Sequence, residues 1–140
     1  MTQLLDIAAV CFVDRRGLLL TVRKRGTRAF MLPGGKIEQT ESPRMAAVRE
    51  VAEELHVSCN PARLSVLGRW DAPAANESDT VLDAHVFICV GEITPVASGE
   101  IEEIRWIALD GGDAEFPLAP LLVDHVIPAL TAPDALALRR

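Results

Sequence analysis

Residues 34–57 read GGKIEQTESPRMAAVREVAEELHV, and the fold can be worked outward from this stretch. Ser42 suits a helix N-cap, because its hydroxyl can accept a bond from a free first-turn N–H. Pro43 suits the first helical position, where a missing N–H costs nothing. Met45, Val48, Ala52 and Leu55 then recur at spacings of three and four, which predicts one apolar stripe on an amphipathic helix. Glu50, Glu53 and Glu54 lie mostly off that stripe. The paired glycines at 34 and 35 mark a tight turn in front of the helix.

Upstream, Leu5–Val13 and Leu18–Val22 are apolar and flank Asp14-Arg15-Arg16-Gly17, a hairpin signal. A polar stretch from Arg23 to Arg28 follows. Phe30-Met31-Leu32 is a short apolar piece that ends at Pro33-Gly34-Gly35. Downstream, Leu64–Trp70, Val81–Val90 and Glu102–Ala108 read as strands, with a polar loop from Asp71 to Asp79 that contains Pro73. Leu118–Leu130 reads as a final helix with Pro128 near its end, and 131–140 as a weakly ordered tail. No internal repeat is visible. Strands on both sides of an amphipathic helix, followed by more strands and a helix, predict an α/β protein with a mixed sheet covered by helices. A length of 140 residues suits one domain over 1–140.

The net charge of −6 disfavours long nucleic acid and anionic membrane as partners. A small phosphorylated ligand stays compatible if a metal offsets local negative charge. The start, Met1-Thr2-Gln3-Leu4-Leu5-Asp6, lacks the basic and long apolar segments of a signal peptide. The longest apolar run, Ile7–Val13, is too short to span a bilayer, so a cytoplasmic protein is expected. Cys11, Cys59 and Cys89 are odd in number and show no metal-ligand spacing. They read as buried free thiols in a reducing compartment.

The chemistry concentrates on the helix. Glu50, Glu53 and Glu54 stand at i, i+3 and i+4, so their carboxylates leave one helical face. Like charges that close repel and raise one another's pKa. A hard divalent cation with oxygen ligands, magnesium or manganese, removes the conflict. Arg49 can reach Glu53 along the helix or Glu41 before it. The glycine turn can offer a backbone carbonyl as a further oxygen ligand. Bound ions of this kind activate water and neutralise a leaving phosphate. An acidic helix face is ordinarily only a solvated face, but here the whole segment is spaced. From Gly35, five residues lead to Glu41 and seven more to Arg49-Glu50, then an apolar residue and a spacer lead to Glu53-Glu54.

That spacing resembles the Nudix box of the MutT-like hydrolases, which here covers Gly35 to Val57. Weaker likeness extends to the hairpin before the box, the Glu-rich segment before Trp106, and Phe116-Pro117. The resemblance implies an α/β/α sandwich and metal-dependent hydrolysis of a nucleoside diphosphate linked to another group. It assigns catalytic roles to Glu50, Glu53 and Arg49. It assigns metal ligation to Glu50, Glu53, Glu54 and the Gly34 carbonyl, and structural support to Gly35 and Glu41. The box ends in Gly where this chain has His56. That position is expected to be left-handed, a conformation His tolerates at about 1 kcal/mol.

Outside the box, Arg23, Lys24, Arg25 and Arg28 could meet phosphates. Arg23 is preferred, since similar proteins often carry Arg at the end of that strand; within the box, Lys36 is a second candidate. Glu100, Glu102 and Glu103 compete for an extra metal ligand. A period of two places Glu102 with Ile104 and Trp106, and Glu103 with Arg105. Glu100 is preferred because it follows Gly99 and stands six residues before Trp106, where nucleotide-hydrolysing relatives place such a ligand. His85, His125, Trp70 and Trp106 read as packed. The expected substrate is a nucleoside triphosphate or related nucleotide. ADP-ribose comes next, for which Pro73, sixteen residues past the box, is the pointer. The chain has no tyrosine, the marker of some dinucleoside polyphosphate enzymes, and Pro120 stands where a base-reading asparagine would be. The competing readings are a Nudix-fold binding or sensing module without catalysis and a diphosphate isomerase. A homodimer is left open.

Overall fold

A computed structural model describes residues 2–110 and 116–132. Strand β1 (Gln3–Val13) is the spine of the sheet, and β5 (Thr80–Val90) lies parallel to it along its whole length, from Gln3↔Thr80 to Val13↔Val90. The other edge of β1 is shared. Its end meets β2 (Leu19–Lys24) across the turn at Val13↔Leu19, and its middle meets the short β3 (Gly34–Lys36) at Ile7–Ala9. With β4 (Ser65–Pro73) and β6 (Ile101–Ile107), the strand order is β4-β5-β1-β2-β6. The β1–β2 turn forms as its sequence predicts. The Asp14 carboxylate accepts the N–H groups of Arg16 and Leu18, both at 2.9 Å, and Gly17 takes φ 79°.

Pairs of side chains alternate along β1. Ala9, Cys11 and Val13 enter one core with Val86, Ile88, Leu121, Leu122, Val126 and Leu130. Ala8, Val10 and Phe12 enter the other with Ala46, Ala47, Val51, Leu55 and Phe87. A strand buried on both faces needs cover on both. Here α1 (Pro43–Leu55) lies on one face and the C-terminal helical segment on the other, giving the Nudix-type α/β/α sandwich.

Several boundaries differ from the sequence expectation. Strand β4 runs on to Pro73, which an edge strand tolerates because no further strand needs the missing N–H. The last helical segment starts later than Leu118. Leu118 bridges Phe30, and the Ala119 N–H donates to the Phe30 carbonyl at 2.8 Å. Helix begins at Pro120, and the turn Leu122–Val126 is a π-helix that leads into α2 (Ile127–Thr131). The Ile127 N–H reaches back to the Leu122 carbonyl. Pro128 supplies the reason: it has no N–H for the Asp124 carbonyl, and its ring crowds that carbonyl, so the preceding turn widens. Thr131, assigned to the tail, is the last residue of α2. The rest of the tail from 133 lies outside the described residues.

Helix α1 brings the main correction. Its caps are as predicted, with the Met45 N–H donating to Ser42 Oγ at 3.2 Å and His56 in the left-handed region at φ 54°, ψ 34°. Its buried face is so only in part. Leu55 is buried and Val48 packs at the edge of the core, but Met45 is 48% exposed and Ala52 is exposed, whereas Ala46, Ala47, Val51 and Glu54 are buried. The helix is rotated so that two alanines meet the sheet and a carboxylate goes inward. Both stripes recur every three or four residues and share Leu55, so apolar periodicity alone favoured a stripe turned partly away from the sheet.

Candidate active site

The site is built where β3 runs beneath α1. A Cβ on Gly34 would stand 2.2 Å from the Ala8 carbonyl oxygen, so only glycine lets β3 lie this close to β1. Gly34 also takes φ 152°, and its N–H donates to Glu54 Oε1 at 2.9 Å. A Cβ on Gly35 would fall 2.4 Å from Glu50 Oε2, so this glycine leaves the space in which the Glu50 carboxylate sits. The pair thus seats two carboxylates against bare backbone.

Those two groups are held in a way water would not favour. Glu54 is 7% exposed, and burial pushes its carboxyl up to about 7, against the opposing influence of the Gly34 N–H; the Glu50 charge pushes it up further. Glu50 is raised for the same main reason, burial, with Arg49 opposing and Glu53 adding repulsion. Glu53, one turn from Glu50, is more exposed, and its Oε1 lies 3.4 Å from Arg49 Nη1.

Arg49 organises the other half. It takes Glu41 in a two-point grip, Nε to Oε2 at 2.7 Å and Nη2 to Oε1 at 2.8 Å, and Nη2 donates to the Lys36 carbonyl at 3.0 Å. Its Nη1 stands 3.5 Å from Glu50 Oε1. The grip holds the Glu41 carboxyl down at about 2. Glu41 also accepts the Glu38 N–H at 3.0 Å, which closes the loop before the helix. Both partners expected for Arg49 are thus engaged, Glu41 much the more closely.

Beside the glycines opens a cavity of about 620 Å³. Lys24, Arg25, Gly34, Gly35, Lys36 and Glu100 are among its lining residues, with the apolar Leu5, Ile7, Leu82, Leu121 and Leu122. Residues 73–77 also line it. Glu100 thus shares the cavity lining with the glycines, with Lys24 Nζ 3.7 Å away, and its charge adds to the repulsion felt by Glu50 and Glu54.

Glu102 and Glu103 do not line the cavity. A bulge pairs Arg23 with Glu103 and Lys24 with Ile101, leaving Glu102 as the extra residue and breaking its period-two alignment with Ile104. Both carboxylates turn to Arg23, at 2.6 and 3.2 Å from its Nη2. Arg23, preferred from sequence as a phosphate ligand, is thus occupied by these two acids and the Thr27 carbonyl, and lies outside the cavity lining. Strand alternation explains the swap: Leu20 and Val22 face the core beneath α1, so Lys24 follows them to the α1 side and Arg23 takes the other. The cavity side at Asn76 and Glu77 was not singled out from sequence, where the loop carried only a polar composition.

The aromatic and histidine side chains are packed or paired. Trp70 stacks on His125 at 5.7 Å between centroids, Trp106 borders the core beneath α1, and His85 Nε2 lies 3.0 Å from an Asp6 oxygen.

Comparison with known proteins fits this geometry. The sequence profile of the NUDIX domain matches residues 4–124. The MutT NUDIX hydrolase from Burkholderia pseudomallei is similar in structure, with TM-score 0.70 and 26% identity over 91% of this chain and 96% of that one. The E. coli ORF135 protein gives TM-score 0.68 and 25% identity over 99% of this chain and 94% of that one. The NUDIX domain of Shewanella oneidensis NrtR, solved with ADP-ribose, shares the fold at TM-score 0.72 and 16% identity, covering 92% of this chain and 87% of that one. No curated protein matches significantly. Among the described residues no helix is long and apolar enough to cross a membrane. With the acidic box seated on its glycine turn, the sheet between two helical layers and the profile match over most of the chain, the protein belongs to the NUDIX family of hydrolases.

Proposed function

We propose that the chain hydrolyses the diphosphate linkage of a small nucleotide, with a nucleoside triphosphate preferred over ADP-ribose, using divalent cations at the Glu50–Glu53–Glu54 face. The observation that carries this reading is Glu54 itself. It is nearly buried beside Glu50, and its hydrogen-bond partner among the described residues is one backbone N–H. Buried carboxylates this close to one another are costly without a cation. The oxygen-only donor set suits magnesium or manganese. Glu50, Glu53 and Glu54, the Gly34 carbonyl and Glu100 would hold the ions. Bound ions of this type supply a more acidic water and offset charge on the departing phosphate.

The chain's own groups do the rest. The apolar lining of the cavity takes the nucleoside and excludes water there, while Lys24 and Lys36, which also line it, meet the phosphates. A water oxygen bonds to phosphorus, its proton passes to Glu50 or Glu53, and the bridging P–O bond breaks. Arg49 keeps both carboxylates oriented through its contacts at 3.5 and 3.4 Å.

The test is a panel of nucleoside triphosphates and ADP-ribose with magnesium or manganese, followed by release of phosphate, pyrophosphate or nucleotide. Turnover should vanish on chelation and return with either ion. Full turnover after exhaustive chelation would overturn the reading, as would tight nucleotide binding with no product for any member.

A further inference from the structure

Strand registers place two groups of cavity-lining residues well apart. Gly34 and Gly35, the seat of the Glu54 and Glu50 carboxylates, pair with Ala9 and Ala8 of β1. The loop between β4 and β5 lies at the start of the same strand, where Gln3 pairs with Thr80 and Leu5 with Leu82. At about 3.3 Å per residue, the step from Ala9 to Gln3 is roughly 20 Å. Leu5, Ile7 and Ala9 share one face of β1 between these points and line the cavity with Leu82.

The loop is anchored at its base. The Ala74 N–H donates to the Thr80 carbonyl at 2.9 Å, the Gln3 N–H to the Asp79 carbonyl at 2.7 Å, and Thr80 Oγ1 to the Ser78 carbonyl at 3.0 Å. Asn76 and Glu77 stand between these ties and line the cavity. Neither side chain has a hydrogen-bond or ion-pair partner among the described residues. Among the described residues no aromatic ring lines the cavity either. Aliphatic walls accept one base about as readily as another, so discrimination falls to polar groups that meet the base edge. At the loop those groups are the Asn76 amide and the Glu77 carboxylate. An amide both donates and accepts, so Asn76 suits either kind of edge, whereas an ionised carboxylate only accepts. Glu77 therefore bonds an amino group and repels a carbonyl oxygen in the same place.

We propose, on the reading that the substrate is a nucleotide, that Glu77 with Asn76 beside it is a specificity-determining residue, selecting bases that carry an exocyclic amino group over their keto counterparts. A nucleotide with its phosphates at the Glu50–Glu53–Glu54 face and its body laid along β1 brings its base to this loop. The separation exceeds the screening length of about 8 Å at physiological ionic strength, so the Glu77 charge acts on the base and hardly on the phosphates or their cations.

The experiment compares kcat/KM with magnesium for CTP against UTP, ATP against ITP, and GTP against ITP. In the pair that contains the fastest substrate, the amino member should be favoured by about tenfold or more, the effect of one hydrogen bond to a charged group. In Glu77→Gln, whose amide also donates, that ratio should fall to about threefold or less through a gain for the keto member. The magnesium needed for half-maximal rate should stay the same. Asn76→Ala should lower kcat/KM for both members and keep the amino member ahead. An amino-to-keto ratio near or below one in the wild type would overturn the proposal and leave hydrolysis of nucleotides standing. So would a ratio unmoved in Glu77→Gln, or a loss in that variant that follows ribose against deoxyribose and not the base. Absence of turnover on every nucleotide would remove both.

Discussion

Glu41 and Glu54 belong to one box and stand at opposite ends of α1, yet the protein treats their charges in opposite ways. Glu41 lies in a two-point grip from Arg49, which holds its carboxyl down at about 2. Glu54 is pressed against the Gly34 backbone beside Glu50, and burial lifts its carboxyl to about 7. The first charge is answered within the chain, so its work is to fix the loop onto the helix. The second is left in want of a positive charge, so its work requires something brought from outside. Acid in the box is therefore of two kinds, and counting glutamates does not separate them.

The largest expected effect follows from exchanging charge for amide at each place. Glu54→Gln keeps the acceptor for the Gly34 N–H and a helix-compatible side chain, yet removes a charge from the cation face. Turnover at low magnesium should drop by more than about 100-fold, beyond the typical cost of losing a group that merely supports a ligand. Glu41→Gln should lower turnover much less and should lower Tm, because Arg49 loses its main partner. Steady-state rates and thermal melts of the two variants check this; the same pattern of losses in both would erase the distinction.

The pH dependence gives a second, intermediate effect with opposite signs at the two sites. Glu41 has its folded value depressed from 4.5 to about 2. Its stabilisation is therefore present above about pH 4.5 and lost as pH falls toward 2. Glu54 has its folded value raised from 4.5 to about 7. The metal-free fold is favoured while Glu54 is protonated, loses stability as pH rises from 4.5 to 7, and stays penalised above. Metal-free Glu54→Gln should thus melt roughly 5 °C above wild type at pH 8 and at the same temperature near pH 4. Magnesium should close that gap by raising wild type alone. Melts across pH, with and without magnesium, test this; a gap independent of pH would show that burial of the charge is not its source.

A smaller effect separates the acids near β6. Glu100 lines the cavity with Gly34 and Gly35, whereas Glu103 faces Arg23. Glu100→Gln should raise the magnesium needed for half-maximal rate by roughly threefold or more, and Glu103→Gln should not. Equal magnesium dependence would remove Glu100 from the cation face.

The smallest effect lies at His56. Its φ of 54° follows the helix in a left-handed conformation, with the His56 N–H donating to the Ala52 carbonyl at 3.2 Å. His56→Gly should leave turnover unchanged and stabilise by at most about 1 kcal/mol, visible as a slight rise in Tm. A large loss of turnover with Tm intact would give the imidazole a role in the chemistry.

The sequence by itself determined whatever rests on local sterics and spacing. Ser42 and Pro43 mark the helix start through the needs of the first turn, and His56 marks its end through the left-handed position. Asp14 to Gly17 shape the first turn, and the interval from Gly35 to Glu54 carries the family. Tertiary structure alone decided which helical stripe is buried, because β3 lies so close to β1 that alanines and a carboxylate fit beneath α1 better than Met45 does. A hydrophobic pattern scores a buried glutamate as an error, and only the geometry around Gly34 gives it a place. Tertiary structure also chose Lys24 over Arg23 for the cavity, through the strand's alternation and the bulge at Glu102.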